Sequence, residues 1–456
     1  MQPRTKDMTS GSPTRLILMF SLPMIVSNLL QQVYSLVDSV VIGRLEGVTA
    51  LTAVSASGWL DWAIISIAMG LSQGFAIQIA QSFGAGDHKT TRRACGQSIL
   101  LSLMTWVLLE TVAQLALYPV LRLLKTPDDI IDLTALYLRI IFAGMPLIIG
   151  SNLLSGFLRS VGNSRTPLVA MVLATLTNIA LDILFVATFR WGVAGVAVAT
   201  SLAQGVSFLV CLWAVVRLPM LHPSREDMRP DPAMMKQLIR LGGPIAFQYL
   251  VIAVGGLILT RVVNGFGFIF VAGYNAAARL QGPLEMVGVS ISASLGTFAG
   301  QNIGAGKLER VRQGVRSCAV ITLSIALALA AIIIPLRREI LMLFVQDDPA
   351  IVEQVLAYGS NFLTVMAGGV WTLYALFTYR SALQGLGDTF IPMLSGFVEL
   401  AMRLGAALLL PPLIGEWGVY FAEVLAWGGA AVLLLIGYHQ RVRKLEGRLG
   451  IQDSAR

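Results

Sequence analysis

Long apolar runs separated by short polar turns set the pattern of this chain. They fall near 16–42, 52–82, 95–119, 131–157, 166–189 and 192–217, and again near 237–264, 269–300, 313–336, 351–384, 389–413 and 417–440. A helix rising about 1.5 Å per residue crosses a hydrocarbon layer in roughly 20 apolar residues, so each run is long enough to span. Several exceed one bilayer thickness, which predicts tilt, kinks or interfacial ends. The pattern is interrupted once, at 218–236 (LPMLHPSREDMRPDPAMMK), by a segment rich in proline and charge. The fold expected is an all-α polytopic membrane protein of twelve transmembrane helices.

The polar turns repeat. QSFGAGDHKTTRR at 81–93 returns as QNIGAGKLERVRQ at 301–313, GNSRTP at 162–167 as GDTFIP at 387–392, and SLPMIV at 21–26 as GGPIAF at 242–247. Six spans per half, an even number, give both halves the same orientation, the arrangement of parallel repeats about an axis along the membrane normal. Two pseudo-symmetric six-helix bundles around a central cavity are predicted. The N-terminal lobe is 1–217, a cytoplasmic inter-lobe loop 218–236, the C-terminal lobe 237–441 and a cytoplasmic tail 442–456.

Composition agrees with this picture and narrows it. The chain is 56% hydrophobic and 13% charged, about half the charge of a soluble domain. Its net charge of +8 is no nucleic-acid signature, because Lys and Arg lie mainly in alternate loops. Placing those loops inside puts both termini in the cytoplasm of a cell inner membrane. The first fifteen residues are polar and basic, but the run after them is too long for a signal-peptide core and reads as a retained span. Three cysteines, Cys95, Cys211 and Cys318, form no CxxC pair, and the three histidines form no metal cluster, so no cofactor or structural metal is expected. No Walker loop and no catalytic triad pattern is present, which argues against a pump driven by ATP and against an enzyme. No filter-like segment points to a channel.

Against this background two aspartates stand out. Asp38 lies about 8 Å below the outer end of the first span, and Asp182 about 12 Å deep in the fifth. Asn178 is four residues before Asp182, on the same helix face. Thr200, about nine residues beyond the turn at Arg190 and Trp191, returns to the depth of Asp182. A carboxylate, an amide and a hydroxyl thus share one level of the outer half. Such a group can take a proton, because low dielectric disfavours the ionised form. It can also coordinate a hard cation, with sodium at Asp38 and Asp182, or it can simply lock the spans together. Intramembrane carboxylates mark ion pathways by default, which favours the functional reading.

Other charges read differently. Glu399 and Arg403, four apart, suit an intrahelical pair. Arg279 and Glu285, six apart, need partners on other spans or face the cavity. Asp61, Glu110, Arg139 and Glu423 are expected near span ends, snorkelling to headgroups. Pro23 removes a helix hydrogen bond in the first span and is a candidate hinge coupled to Asp38. Tyr34, Met171, Arg279 and Met286 are candidate lining of a promiscuous cavity.

Together the LP of span one (Leu22, Pro23), QSFGAGD with its basic pair, QNIGAGK, and the paired GNSRTP and GDTFIP turns resemble the multidrug and toxic compound extrusion (MATE) transporters over about 15–440. YSLVDSVVIGRL at 34–45 and NIALD at 178–182 are similar to the DNA-damage-inducible-F branch. That resemblance implies a cation-coupling pocket at Asp38, Asn178, Asp182 and Thr200, a Tyr137 that hydrogen-bonds into it, and a bending proline at Pro23. Other branches use acids on spans seven and ten for sodium, whereas VIAVGGLILTRVV and GGVWTLYALFTYR contain none.

The function expected is a secondary active antiporter that exports organic, often cationic or amphipathic compounds in exchange for H+, with Na+ as the second choice of driver. Small-molecule substrates and the lipid bilayer are the partners expected, with no nucleic acid and a monomeric state. The competing readings are a flippase for a lipid-linked saccharide and a non-transporting membrane receptor or scaffold.

Overall fold

Helices follow one another with short turns along the whole of the computed structural model, which describes residues 5–345 and 348–449. Residues 1–4 of the expected N-terminal lobe and 450–456 of the expected tail lie outside the described residues. In order the helices are α1 (Pro13–Leu45), α2 (Gly47–Gly84), α3 (His88–Leu123), α4 (Asp128–Ala143), α5 (Met145–Ser160), α6 (Arg165–Asp182) and α7 (Gly192–Val216). The second half holds α8 (Pro232–Asn264), α9 (Phe268–Gly304), α10 (Leu308–Met342), α11 (Pro349–Gly385), α12 (Phe390–Leu409), the short α13 (Pro411–Ile414) and α14 (Trp417–Leu449). A π-helical turn, Ile183–Thr188, continues α6. No strand occurs among the described residues.

Ten of these helices are long and apolar enough to cross a membrane, and α4 with α5 makes an eleventh span bent by 47°. α9 has 37 residues, enough length to cross as well, though Arg279, Gln281 and Glu285 dilute its hydropathy. The span expected near 131–157 is built from these two helices, which meet at Gly144. There a Cβ would collide with Ser201 of α7, so glycine lets the bend press against its neighbour.

The described chain divides into two compact units, residues 22–247 with 5–8, and the described residues from 248 to 449 with 9–21. The division falls inside α1 beside Pro23 and inside α8 beside Pro244. In the first unit α2 packs on α3, α4 and α5, and α7 on α5 and α6. Phe75, Ile79, Phe157, Leu158 and Cys211 form part of its core. α2 meets the first half of α8 through small residues: a Cβ on Gly70 would lie 2.5 Å from the Ala246 backbone, and one on Gly74 would strike Gly242. Such positions let backbones approach where side chains could not. In the second unit α11 packs on α9, α10 and α14, and α12 on α14.

The repeated turns have a common physical cause. Gly86 and Gly306 stand at φ +73° and +72°, and Gly162 and Gly387 at +79° and +75°, a left-handed conformation open to glycine at little cost. Each turn ends one helix and starts the next. Asp87 then caps α3, its Oδ1 accepting from the Thr90 backbone N–H at 2.9 Å and its Oδ2 from the Thr90 hydroxyl at 2.6 Å. The Thr90 hydroxyl and backbone amide hold the Asp87 carboxyl below its ordinary range. Asp87→Ala should cost about 1 kcal/mol of stability at neutral pH. The folded value is depressed, so the contribution is present above the ordinary aspartate range and vanishes as pH falls through the folded value. Melting curves should therefore separate the variant from the parent at neutral pH and converge in acid.

The loop between the halves is strapped to the first unit. Gln97 of α3 donates to the carbonyls of Asp227 and Arg229, both at 2.8 Å, and accepts from the Asp231 N–H at 2.9 Å. Arg93 pairs with Asp231 at 2.7 Å.

Candidate functional site

α1, α6 and α7 bring four of the predicted residues together in the first unit. Asp38 lies seven residues before the end of α1, and Asp182 is the last residue of α6. The Thr200 hydroxyl of α7 donates to Asp38 Oδ2 at 3.3 Å. Asp182 and Asn178 both stand within interaction range of Asp38. Their burial is close to complete, with Asp182 0% and Asn178 1% exposed. Both Asp182 oxygens, both polar atoms of the Asn178 amide, and Asp38 Oδ1 have no hydrogen-bond partner among the described residues. Buried polar atoms left this way are costly, and a fold keeps them where something else satisfies them in use. No arginine or lysine is among the groups acting on either carboxylate.

The donor set is all oxygen apart from one amide nitrogen. Carboxylate, amide and hydroxyl oxygens are hard ligands that fit a proton or a small hard cation. Among the described residues no group of three or more His, Cys, Asp or Glu side chains could hold a metal ion.

Two features missed by sequence reasoning enlarge this site. Asp61, expected to snorkel near a span end, is corrected: α2 begins at Gly47, which puts Asp61 about 20 Å along the helix. Its Oδ1 is buried without a partner among the described residues, and it acts on Tyr34 and Tyr137. The sequence signal was the distance back to Glu46, the last charge before α2. The second is the π-helical turn beginning at Ile183, directly after Asp182. Such wider turns recur at functional sites; no residue pattern announces this one.

The remaining predicted residues divide. Tyr34, one turn before Asp38, lies beside Gln31, Gln204 and Asp38. Tyr137 of α4 lies within electrostatic range of Asp61, Asp38, Tyr34 and Asp182, and packs on the cluster of Ile42, Ala50 and Val196. Met171 is two turns before Asn178, on the same face of α6. Arg279 and Met286 are in the other unit, where the exposed Arg279 guanidinium sits 5.9 Å from the Phe344 ring centroid. Pro23 lies inside α1, which continues through it as one helix.

The second unit holds a different polar cluster. Glu399 pairs with Arg403 at 3.0 Å and with Arg380 of α11 at 3.0 Å, and Arg403 pairs with Glu423 of α14 at 2.8 Å. Glu423, expected at a span end, is corrected to a buried partner in this network, 7% exposed. It is twenty residues from Arg403, too far along the chain for helical spacing to reveal.

Thr200→Val removes the hydrogen bond that the Thr200 hydroxyl donates to Asp38 Oδ2 without removing a charge. About 1 kcal/mol should be lost, read as roughly a fivefold change in the apparent affinity of this cluster for H+ or Na+.

Comparison with known proteins gives a consistent picture. The family profile described as MatE matches residues 23–184 and 244–407, one segment in each half. The chain is 28% identical to the probable multidrug resistance protein YoeA of Bacillus subtilis, with 96% of each chain covered. It is 32% identical to YpnP of the same organism, a probable multidrug resistance protein, over 67% of this chain and 68% of that one. A structure described as the outward-facing conformation of a multidrug resistance MATE family transporter superposes with a TM-score of 0.90 at 23% identity, covering 98% of this chain and all of that one.

Proposed function

This chain belongs to the MATE family of multi-pass membrane transporters, and from that premise we propose that it is a secondary antiporter exporting organic, often cationic or amphipathic compounds. The coupling ion in this reading is H+, exchanged at Asp38, Asn178, Asp182 and Thr200, with Na+ as the second choice. The observation that carries it is the pair Asp182 and Asn178: four polar side-chain atoms, buried and unpartnered, beside a second carboxylate.

The chemistry follows from charge. Two ionised carboxylates held close in a medium of low dielectric repel, and among the described residues neither has a basic partner to offset the cost. A proton on either one removes the repulsion and supplies a donor for the other. Deprotonation restores the repulsion. A ligand shifts a conformational equilibrium only by its differential affinity for the two states, so the carboxylates must meet different surroundings in the inward- and outward-facing forms. Pro23 in α1 and the π-helical turn after Asp182 are the two places where these helices can yield. Tyr34 borders the cluster and Met171 lies two turns from Asn178 on the same face of α6; in this reading both meet the organic substrate.

In this reading the basic loops face the cytoplasm of the inner membrane, with both termini on that side, and export runs toward the outside as protons enter. The protein acts as a monomer in this account. Proteoliposomes with independently imposed pH and sodium gradients test it. Accumulation of a fluorescent organic cation driven by the pH gradient alone is expected; accumulation with neither gradient able to drive it would reject antiport.

A further inference from the structure

The two halves keep a common register. α6 begins at Arg165 and α12 at Phe390, α7 at Gly192 and α14 at Trp417, and both pairs are 225 positions apart. The left-handed turns at Gly162 and Gly387 keep the same spacing. In this register Asn178 falls on Arg403 and Asp182 on Ala407, while Thr200 falls within one turn of Glu423. The prolines of α1 and α8, Pro23 and Pro244, align Asp38 with Leu259. Both acids of the first-lobe site therefore have apolar counterparts in the second lobe, and a guanidinium stands where the first lobe has an amide.

The surroundings of that guanidinium are those of a bound cation. Arg403 is 5% exposed. Its Nη2 donates to Glu399 Oε1 at 3.0 Å and to Glu423 Oε2 at 2.8 Å, and its Nε donates to Glu423 Oε2 at 3.1 Å. Arg380 of α11 completes Glu399 at 3.0 Å and donates to the Ser395 hydroxyl at 3.2 Å. From α9, Glu285 and Tyr274 act on the same group, and α13 carries no titratable side chain. On α8, Gly255 leaves room: a Cβ there would sit 3.0 Å from Arg403 Nη1.

We infer that Arg403 is a resident cation: its tethered guanidinium occupies the second-lobe equivalent of the cation site and confines small-cation exchange to the first lobe. The inference rests on the coupling proposed above for the first lobe. Arginine keeps its charge at any working pH and binds carboxylates through a fixed fork, so this position cannot empty during a cycle. Its removal exposes Glu399 and Glu423 to each other and creates a second position for a proton or a sodium ion.

The test compares R403Q and R403K with the parent protein, purified in detergent and matched by elution profile. Potentiometric titration near neutral pH should find about one more proton bound to R403Q than to the parent, displaced by added sodium. R403K, which restores a tethered cation, should match the parent. Folded R403Q with an unchanged proton count overturns the inference, as does R403K showing the same extra proton. Where R403Q fails to fold, D38N/D182N decides, since it keeps Arg403. That protein should show no proton exchange on adding an organic cation; exchange that persists there and disappears with E423Q overturns the inference. Failure of the first-lobe reading shows separately, as a parent protein that exchanges no cation on binding substrate.

Discussion

Asp38→Asn should abolish gradient-driven export, lowering the steady-state accumulation ratio on the order of 100-fold, which corresponds to the upper end of ordinary site-to-site coupling, ~3 kcal/mol. Asparagine matches aspartate in size and still accepts from Thr200 at the place where Asp38 Oδ2 now accepts at 3.3 Å. What it cannot do is change charge. Substrate binding to the purified variant should therefore stay within a few-fold of the parent while transport falls to that of protein-free vesicles. Asp182→Asn should behave alike, and the double variant should be no worse than either single one, because residues of one site are not additive. Accumulation retained in D38N would place the coupling elsewhere.

Glu399→Gln is expected to have the largest effect on stability, a loss of about 3–5 kcal/mol. Glu399 is the carboxylate shared by Arg380 and Arg403, at 3.0 Å from each. Its neutralisation leaves the Arg380 guanidinium donating to the Ser395 hydroxyl at 3.2 Å, a buried cation that has lost its counter-charge. The double variant R380Q/E399Q removes the stranded charge and should recover part of the loss. Thermal unfolding in detergent measures both. The exposed pair Arg338–Glu353, at 2.6 Å, is the control. Solvent screens it, so E353A should shift the melting temperature little.

These contrasts show how far residues alone carried the reading. Apolar run length and the repeated GAG and G-x-x-x-x-P turns were enough for the helical architecture, because span length and left-handed glycine are local properties. Depth along a helix was enough to set Asp38, Asn178, Asp182 and Thr200 at one level, and the structure brings those side chains together. Asp61 was misplaced because α2 starts five residues before the apolar run that marked it. Glu423 and Arg380 were missed as partners of the α12 charges because helix-to-helix pairing leaves no periodic trace. The bend at Gly144, where the backbone presses on Ser201 of α7, and the π-helical turn after Asp182 are features that periodicity does not report.

The central claim is that substrate and a small cation compete through the buried oxygens of the first lobe. Proton release from the purified protein, followed in weak buffer as an organic cation is added, tests it most directly. The parent protein should release protons in proportion to substrate bound, and D38N/D182N should bind substrate without releasing any. Substrate binding by the parent with no proton or sodium displaced, or equal release from the double variant, would contradict it.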